Sequence, residues 1–137
     1  MANPVYVLPD APLAVIQYLR STAAITALID PERITTRIDP EPTYPVLLVQ
    51  RMGGQVIGRG GIDNSTLQVS CIGGSEFECS KLIRTVRATI LAIANDVVSE
   101  GTLVSGFELV GPSWIPDTTT EPPLSRFILR VQVVLHP

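Results

Sequence analysis

Residues 46–71 read VLLVQRMGGQVIGRGGIDNSTLQVSC, in which a glycine-rich segment lies between two stretches that have the pattern of β-strands. Val46–Val49 leads into the glycines and Leu67–Cys71 leads out of them, so the segment connects strand to strand. A phosphate-binding loop would instead open a helix whose N-terminal amides hold the phosphates. The stretch therefore predicts a long β-hairpin with a mobile tip from Gly53 to Gly61. Composition is compatible with two interpretations: the tip becomes ordered on a partner, or it is a solvated tip without a role.

The first third of the chain predicts one helix and a rigid connector. Asp10 is a good N-cap residue, and apolar residues recur at helical spacing to Ile29, which predicts a helix from about Ala11 to Ile29. Asp30 precedes a proline and ends that helix. A short extended piece, 33–38, follows, and the proline-rich residues 39–45 lead into the hairpin.

The second half predicts a helix and two further strands. Ser75 is the expected N-cap of the second helix, whose apolar stripe runs from Cys79 to Val97. A strand at 107–110 is expected to be interrupted, or bent, by the glycine and proline at 111–112. The last strand, around 127–135, has strictly alternating apolar residues.

The order of these elements predicts an α+β fold. We expect a mainly antiparallel β-sheet with two helices packed on one face, in the order α-β-β-β-α-β-β. At 137 residues the chain corresponds to a single domain, residues 1–137, that is long enough to bury a core.

Composition excludes several classes of function. No apolar run approaches the eighteen or so residues of a membrane span, and the N-terminus lacks the pattern of a secretory signal, so no membrane partner is expected. Ten basic residues against thirteen acidic ones give a net charge of -3. Binding to a phosphate backbone is therefore disfavoured as the main activity.

Residue types that carry chemistry are sparse. The one histidine, His136, lies at the end of the chain and is interpreted as a surface residue at a strand end rather than as a catalyst. Asp117 and Glu121 are two acids among threonines, which is too few for a metal loop. Cys71 and Cys79 have no nearby ligand residues and are interpreted as small buried hydrophobic residues rather than as a disulfide. We therefore predict no enzyme, no catalytic residues, no cofactor and no metal.

Two further features have alternative interpretations. Lys81, Arg84 and Arg87 form a basic stripe on the second helix, which is either a solvated face partly paired with Glu78 or a contact for an acidic patch on a neighbouring subunit. Trp114, the only tryptophan, is either a core residue or an interface anchor.

The ordered set of motifs resembles the tail terminator proteins of tailed bacteriophages, also described as tail completion or minor tail proteins of the neck. The resemblance covers nearly the whole chain and is greatest to versions from phages of actinobacteria. It rests on the opening helix that ends at an Asp-Pro, on residues 33–37, 44–54 and 67–73, on the second helix, on Gly111-Pro112 with Pro116-Asp117, and on Arg126-Phe127.

This resemblance implies a structural function in the virion. Such proteins form a ring, hexameric in the family, that caps the growing tail tube and joins the tail to the connector of the head. The implied partners are other copies of the chain, the tail tube protein and the connector or stopper protein, and DNA passes through the ring without sequence readout. Assembly would take place in the host cytoplasm. The alternatives are a head-tail connector or stopper protein and, from another class, a small α+β hydrolase or ligand-binding module.

The candidate contacts lie in the two polar loops. We predict that these residues contact a neighbouring subunit or the tail tube: Arg51, Gly53, Gly54, Arg59, Gly60, Asp63, Asp117 and Glu121.

Overall fold

The computed structural model describes residues 3–137, which form three α-helices, one short 3-10 turn and a six-stranded sheet. The helices are α1 (Ala11–Arg20), α2 (Ala23–Thr26) and α3 (Glu76–Leu91), and the 3-10 turn is Pro31–Arg33. The strands are β1 (Ile34–Thr35), β2 (Val46–Ile57), β3 (Ile62–Ile72), β4 (Ala94–Val97), β5 (Thr102–Trp114) and β6 (Arg126–His136).

The sheet is mixed and curled, with the strand order β1-β2-β3-β6-β5-β4. β1 pairs with β2 in parallel, and the other four pairings are antiparallel. The prediction of an α+β fold is confirmed. The finer prediction was wrong in detail, because the sheet is mixed and because three helices and six strands replace the expected two and five.

The hydrophobic core lies between the helices and one face of the sheet. Alternate residues of β3 and β6 point toward it, so Leu67 and Val69 lie beside Val131 and Leu129 with at most 1% of their surface exposed. Ile16 and Leu19 of α1 and the apolar stripe of α3 belong to the same buried cluster. Removal of this apolar surface from water is the main force that holds the helices on the sheet.

The first predicted helix is broken in two. Ser21 and Thr22 both donate side-chain hydrogen bonds to the carbonyl oxygen of Tyr18, each at 2.8 Å. Such local bonds compete with the helical pattern, so α1 ends at Arg20 and α2 begins at Ala23. The apolar spacing continues across the break, which is why the sequence pattern predicted one helix.

The second predicted helix ends earlier than its apolar stripe. The N-cap prediction is confirmed, because the Ser75 hydroxyl accepts a hydrogen bond from the amide of Glu78 at 3.1 Å. The helix stops at Leu91, and β4 begins at Ala94, with Asn95 inside the strand in a left-handed backbone conformation (φ 56°). The terminal residues of the predicted stripe therefore form a strand that the sequence pattern missed.

The glycine-rich segment is a hairpin, as predicted, but its tip is shorter. β2 continues to Ile57, and Gly53 and Gly54 pair with Thr66 and Ser65 of β3. Only residues 58–61 form the turn. The expected interruption at 111–112 is likewise absent, since β5 continues to Trp114 with irregular register on either side of Val110. The bend that was predicted there takes the form of bulges within a continuous strand.

Two glycines of the hairpin provide a matched test of this geometry. A Cβ atom at Gly54 (φ 118°) would collide with the carbonyl oxygen of Asn64, whereas a Cβ at Gly61 would meet nothing within 4 Å. We expect Gly54→Ala to lower the free energy of unfolding by about 1 to 3 kcal/mol, because it combines backbone strain with a clash. Gly61→Ala should change it by less than about 1 kcal/mol. Denaturant titration of both variants measures this, and equal stabilities would contradict the pairing of Gly54 inside the sheet.

Candidate functional site

Arg51 and Asp63 form a bidentate ion pair across the hairpin. The two guanidinium nitrogens lie 2.6 and 2.9 Å from the two carboxylate oxygens. Asp63 is 4% exposed, and the Arg51 side chain is 37% exposed. Both residues were predicted to contact a neighbour, yet in the structure they bind each other. This fork-to-fork geometry is among the strongest hydrogen-bonding arrangements in proteins.

The register of the hairpin explains the pair. Asp63 lies on the helix-covered face of β3, in the same alternation as Leu67 and Val69. The hydrogen bonds that Arg51 donates to Asp63 raise the pKa of the guanidinium further above its ordinary value, and the charge of Asp10 adds to that effect. Alternation counted backward from Leu67 could have placed Asp63 on the buried face from sequence, where a carboxylate requires a partner.

The other candidate residues of the hairpin are divided between its strands and its tip. Gly53 and Gly54 lie within β2. Arg59 and Gly60 lie in the turn, where Arg59 is exposed. Arg59 lines a depression together with residues of the N-terminal segment, among them Tyr6. Both arginines are exposed, but within residues 3–137 only Arg51 is engaged in an ion pair, so Arg59 is the hairpin cation that is available to a partner.

The second polar loop holds Asp117 in a local turn. Its carboxylate accepts hydrogen bonds from the hydroxyl of Thr119 at 2.6 Å and from the amide of Thr119 at 3.0 Å. These bonds, chiefly that of the hydroxyl, lower the pKa of Asp117 below its ordinary value. Its backbone also bridges to Leu124. Glu121 is exposed, so of the two acids it is the one whose carboxylate is not used within the loop.

The two cysteines are buried free thiols, as the sequence indicated. Their sulfur atoms lie 3.3 Å apart, and the thiol of Cys79 donates to the carbonyl oxygen of Gly73 at 2.8 Å. The hydrogen bond to Cys79, together with burial, raises the pKa of the Cys71 thiol. The pair contributes to packing where the end of β3 meets the start of α3.

The basic stripe of α3 has a partner that neither interpretation anticipated. Arg87 binds Glu108 of β5. Its Nε lies 2.6 Å from Oε1 of the carboxylate, and its Nη2 lies 2.8 Å from Oε2. The expected pairing with Glu78 is replaced by this contact between helix and sheet. Lys81 and Arg84 are exposed.

Apolar side chains are exposed on the two long strands β2 and β5, each of which is second from an edge of the sheet. On β2 the exposed fractions are 53% for Met52 and 51% for Val56. On β5 they are 52% for Phe107 and 50% for Val110. Trp114, at the end of β5, is 52% exposed and is not a core residue. Exposed apolar side chains that are grouped along a strand make each of these two strands a candidate interaction surface.

The surface depressions show little convergence of reactive groups. One of 360 Å³, lined by Gly54, Gln55, Asn64, Thr66 and Gln132, holds only uncharged groups. Another, of 260 Å³, is lined by residues between Asp30 and Thr43. The hypothesis of a hydrolase or ligand-binding module expected a pocket with convergent polar groups, and the first of these depressions holds neither an acid nor a base.

Metal clusters and membrane-spanning helices are both absent from the part of the chain that the structure describes. Within residues 3–137, no cluster of three or more His, Cys, Asp or Glu side chains is placed to hold a metal ion. No helix in the same range is both long enough and apolar enough to cross a membrane.

The fold of this chain matches a solved structure, and its sequence matches a known protein family. The chain has the fold of a chain in the solved structure described as the virion of a native gene transfer agent (GTA) particle. The two are 19% identical, the match covers 92% of this chain and 94% of that one, and the TM-score is 0.62. No curated protein matches the chain. The model of the phage tail termination protein family matches residues 7–124, and the chain belongs to this family of structural phage proteins.

The Arg51 and Asp63 pair yields a stability prediction. Arg51→Met should lower the free energy of unfolding by about 3 kcal/mol, because it leaves a buried carboxylate without its counter-ion. This loss lies at the lower end of the range of about 3 to 5 kcal/mol for breaking a buried ion pair, because Arg51 is partly exposed. Arg59→Met, a matched change at the exposed tip, should cost less than about 0.5 kcal/mol. Chemical denaturation measures both, and an Arg51→Met protein as stable as the Arg59→Met protein would show that the pair has no structural role.

The loop around Asp117 yields a pH prediction. The lowered pKa means that the ionised form stabilises the folded loop, so the contribution is present above the pKa of the unfolded chain and is lost as the pH falls through the folded value. Thr119→Val removes the hydroxyl bond and keeps the amide bond, so the pKa of Asp117 should rise toward its ordinary value without reaching it. Carboxyl carbon NMR titration measures this shift. An unchanged pKa would mean that the hydroxyl is not the main cause.

Proposed function

We propose that this protein ends polymerisation of the tail tube and then joins the tail to the connector of the head. In this proposal six copies form a ring on the end of the tube, and DNA passes through the ring without sequence-specific binding. Its partners are the tail tube protein and the connector or stopper protein, and it enters the virion in the host cytoplasm. Membership of the phage tail termination family is the observation that carries the proposal.

The surface of the chain supports a role in assembly. Exposed apolar side chains occur along both β2 and β5, and isolated soluble domains rarely leave large apolar surface uncovered. The net charge of -3 supports weak contact with DNA, because few phosphates would be neutralised and the duplex could slide. The exposed tip residues Arg59 and Gly60, and Glu121 of the second loop, are available to meet the tube or a neighbour. Asp117 remains a candidate for contact through the carboxylate oxygen that Thr119 does not bind, because its backbone amide and carbonyl are paired with Leu124.

A connector or stopper protein on the head side is the second candidate function. It shares the virion location, and the shape of one subunit does not separate it from a terminator. The two functions differ in what happens to the tube when the protein is missing. A terminator limits the length of the tube, whereas a stopper acts after the tube is complete.

Deletion of the gene from the particle that encodes it distinguishes the two. We expect tubes of uncontrolled length, measured by negative-stain electron microscopy, and heads without tails. Supplying the protein from a plasmid should restore a single tail length. Tails of normal length that stay unattached to heads would instead assign the protein to the connector or stopper role. Normal, infectious particles would contradict both functions.

A further inference from the structure

The outer edge of the hairpin lacks a neighbouring strand over most of its length. β1 pairs only with Leu47 and Leu48 of β2, while β3 pairs with β2 along its other side. Among the residues the structure describes, 50–57 of β2 therefore have an unpaired edge, and every one of these residues is exposed. We call this segment the hairpin edge. An exposed strand of this length is a template for pairing with another chain.

The opposite side of the sheet has a second unpaired edge. β4 pairs with Thr102, Leu103 and Ser105 of β5 and ends there. Beyond this point, residues 106–110 have no strand neighbour on their outer side within the described chain, and we call them the β5 edge. Pro112 has no amide hydrogen to donate, so it marks where pairing on this edge would stop.

We propose that neighbouring copies of this chain join by pairing the hairpin edge of one copy with the β5 edge of the next. This inference rests on the proposed ring and identifies the two edges through which neighbouring copies in the ring would meet. The two edges lie on opposite sides of one sheet, as a head-to-tail contact requires. β2 and β5 run in opposite directions within the sheet, so copies that keep one orientation around the ring pair these strands antiparallel. Such strand addition satisfies backbone donors and acceptors on both edges.

The side chains of the two edges match in character. Ile57 of the hairpin edge and Phe107 and Val110 of the β5 edge lie on the same sheet face, and each is about half exposed. Val56 is also half exposed but lies on the other face. Burying apolar surface of this kind provides most of the free energy of association in protein interfaces. The contact would cover the apolar surface that a single copy leaves in water.

Charge adds a second complementarity. A depression beside β1, near the start of β2, is lined by one arginine, Arg33, and by four acidic residues: Asp30, Glu32, Asp39 and Glu41. Lys81 and Arg84 are exposed on α3, which packs on β5, although Glu76 and Glu78 occupy its first turn. Antiparallel pairing carries the acidic end of β2 toward the turn of α3 that holds Lys81 and Arg84. Opposite charges at these places favour one orientation of approach.

Engineered cysteines test the contact and its register. Phe107 lies on the sheet face away from the helices, as do Gln55 and Ile57 of the hairpin edge, whereas Val56 lies on the other face. A protein with Phe107→Cys and either Gln55→Cys or Ile57→Cys should form a ladder of covalent oligomers with copper-phenanthroline as the oxidant. The matched control is a protein with Phe107→Cys and Val56→Cys, which should not form covalent oligomers. The native cysteines are buried. Each variant with a single added cysteine measures how much crosslinking the native cysteines contribute.

A second pair of variants measures the strength of the contact. Phe107→Lys should raise the apparent dissociation constant of the oligomer by about tenfold or more, since it places a charge at the centre of an apolar contact. Phe77→Lys is the control, because Phe77 is 84% exposed on α3 and lies outside both edges. Light scattering coupled to size exclusion measures the mass, and circular dichroism shows that each variant is folded.

The outcomes separate this inference from the proposed function. Unmodified protein that forms rings, but whose cysteine pairs crosslink on neither face or equally on both, would overturn the contact and leave the ring intact. Rings that tolerate Phe107→Lys as well as Phe77→Lys would do the same. Unmodified protein that stays monomeric both alone and with tail tubes would overturn the ring and the contact together.

Discussion

The pairing of β3 between β2 and β6 is the constraint on which the rest of the structure depends. Its register places Leu67 and Val69 beneath the helices together with their partners on β6. A slip by one residue would turn every one of these side chains to the solvent. The same register places Asp63 on the buried face, where Arg51 compensates its charge. Core, ion pair and hairpin length thus follow from one ladder of hydrogen bonds.

The unequal lengths of the strands connect the fold to assembly. β1 has two residues and β4 has four, but they flank β2 with twelve and β5 with thirteen. Natural proteins commonly shorten or disrupt edge strands to prevent association. In this sheet the short strands cover only part of the long ones, and bulges occur in both long strands. The proposed contact between copies uses the parts that stay uncovered, in a family whose members are structural proteins of the phage tail.

Local patterns predicted the parts of the structure that depend on local physics. The alternation of β6 and the caps at Asp10 and Ser75 are confirmed, because each depends on residues that are close in sequence. Composition placed Gly53 and Gly54 in a mobile tip. Strand pairing with β3 overrides that preference, and pairing partners cannot be read from glycine content. The break after Arg20 was missed since the apolar spacing continues across it.

The candidate site was predictable only in part. Arg51 and Asp63 were predicted from sequence as contacts for a neighbour or the tube, whereas their contact with each other depends on the register of the hairpin. Likewise, the partner of Arg87 is Glu108, which is 21 residues away on another element. The unpaired edges could not be predicted from sequence at all, because they arise from where β1 and β4 stop. Family resemblance supplied the functional hypothesis, which the local residues alone did not determine.

A cryo-electron microscopy reconstruction of the intact particle tests the central claim most directly. The account predicts a ring of this chain at the head-proximal end of the tail tube, in which β2 of each copy lies antiparallel beside β5 of the next. A chain found elsewhere in the particle, or a ring whose copies meet through other surfaces while residues 50–57 and 106–110 stay exposed, would contradict it.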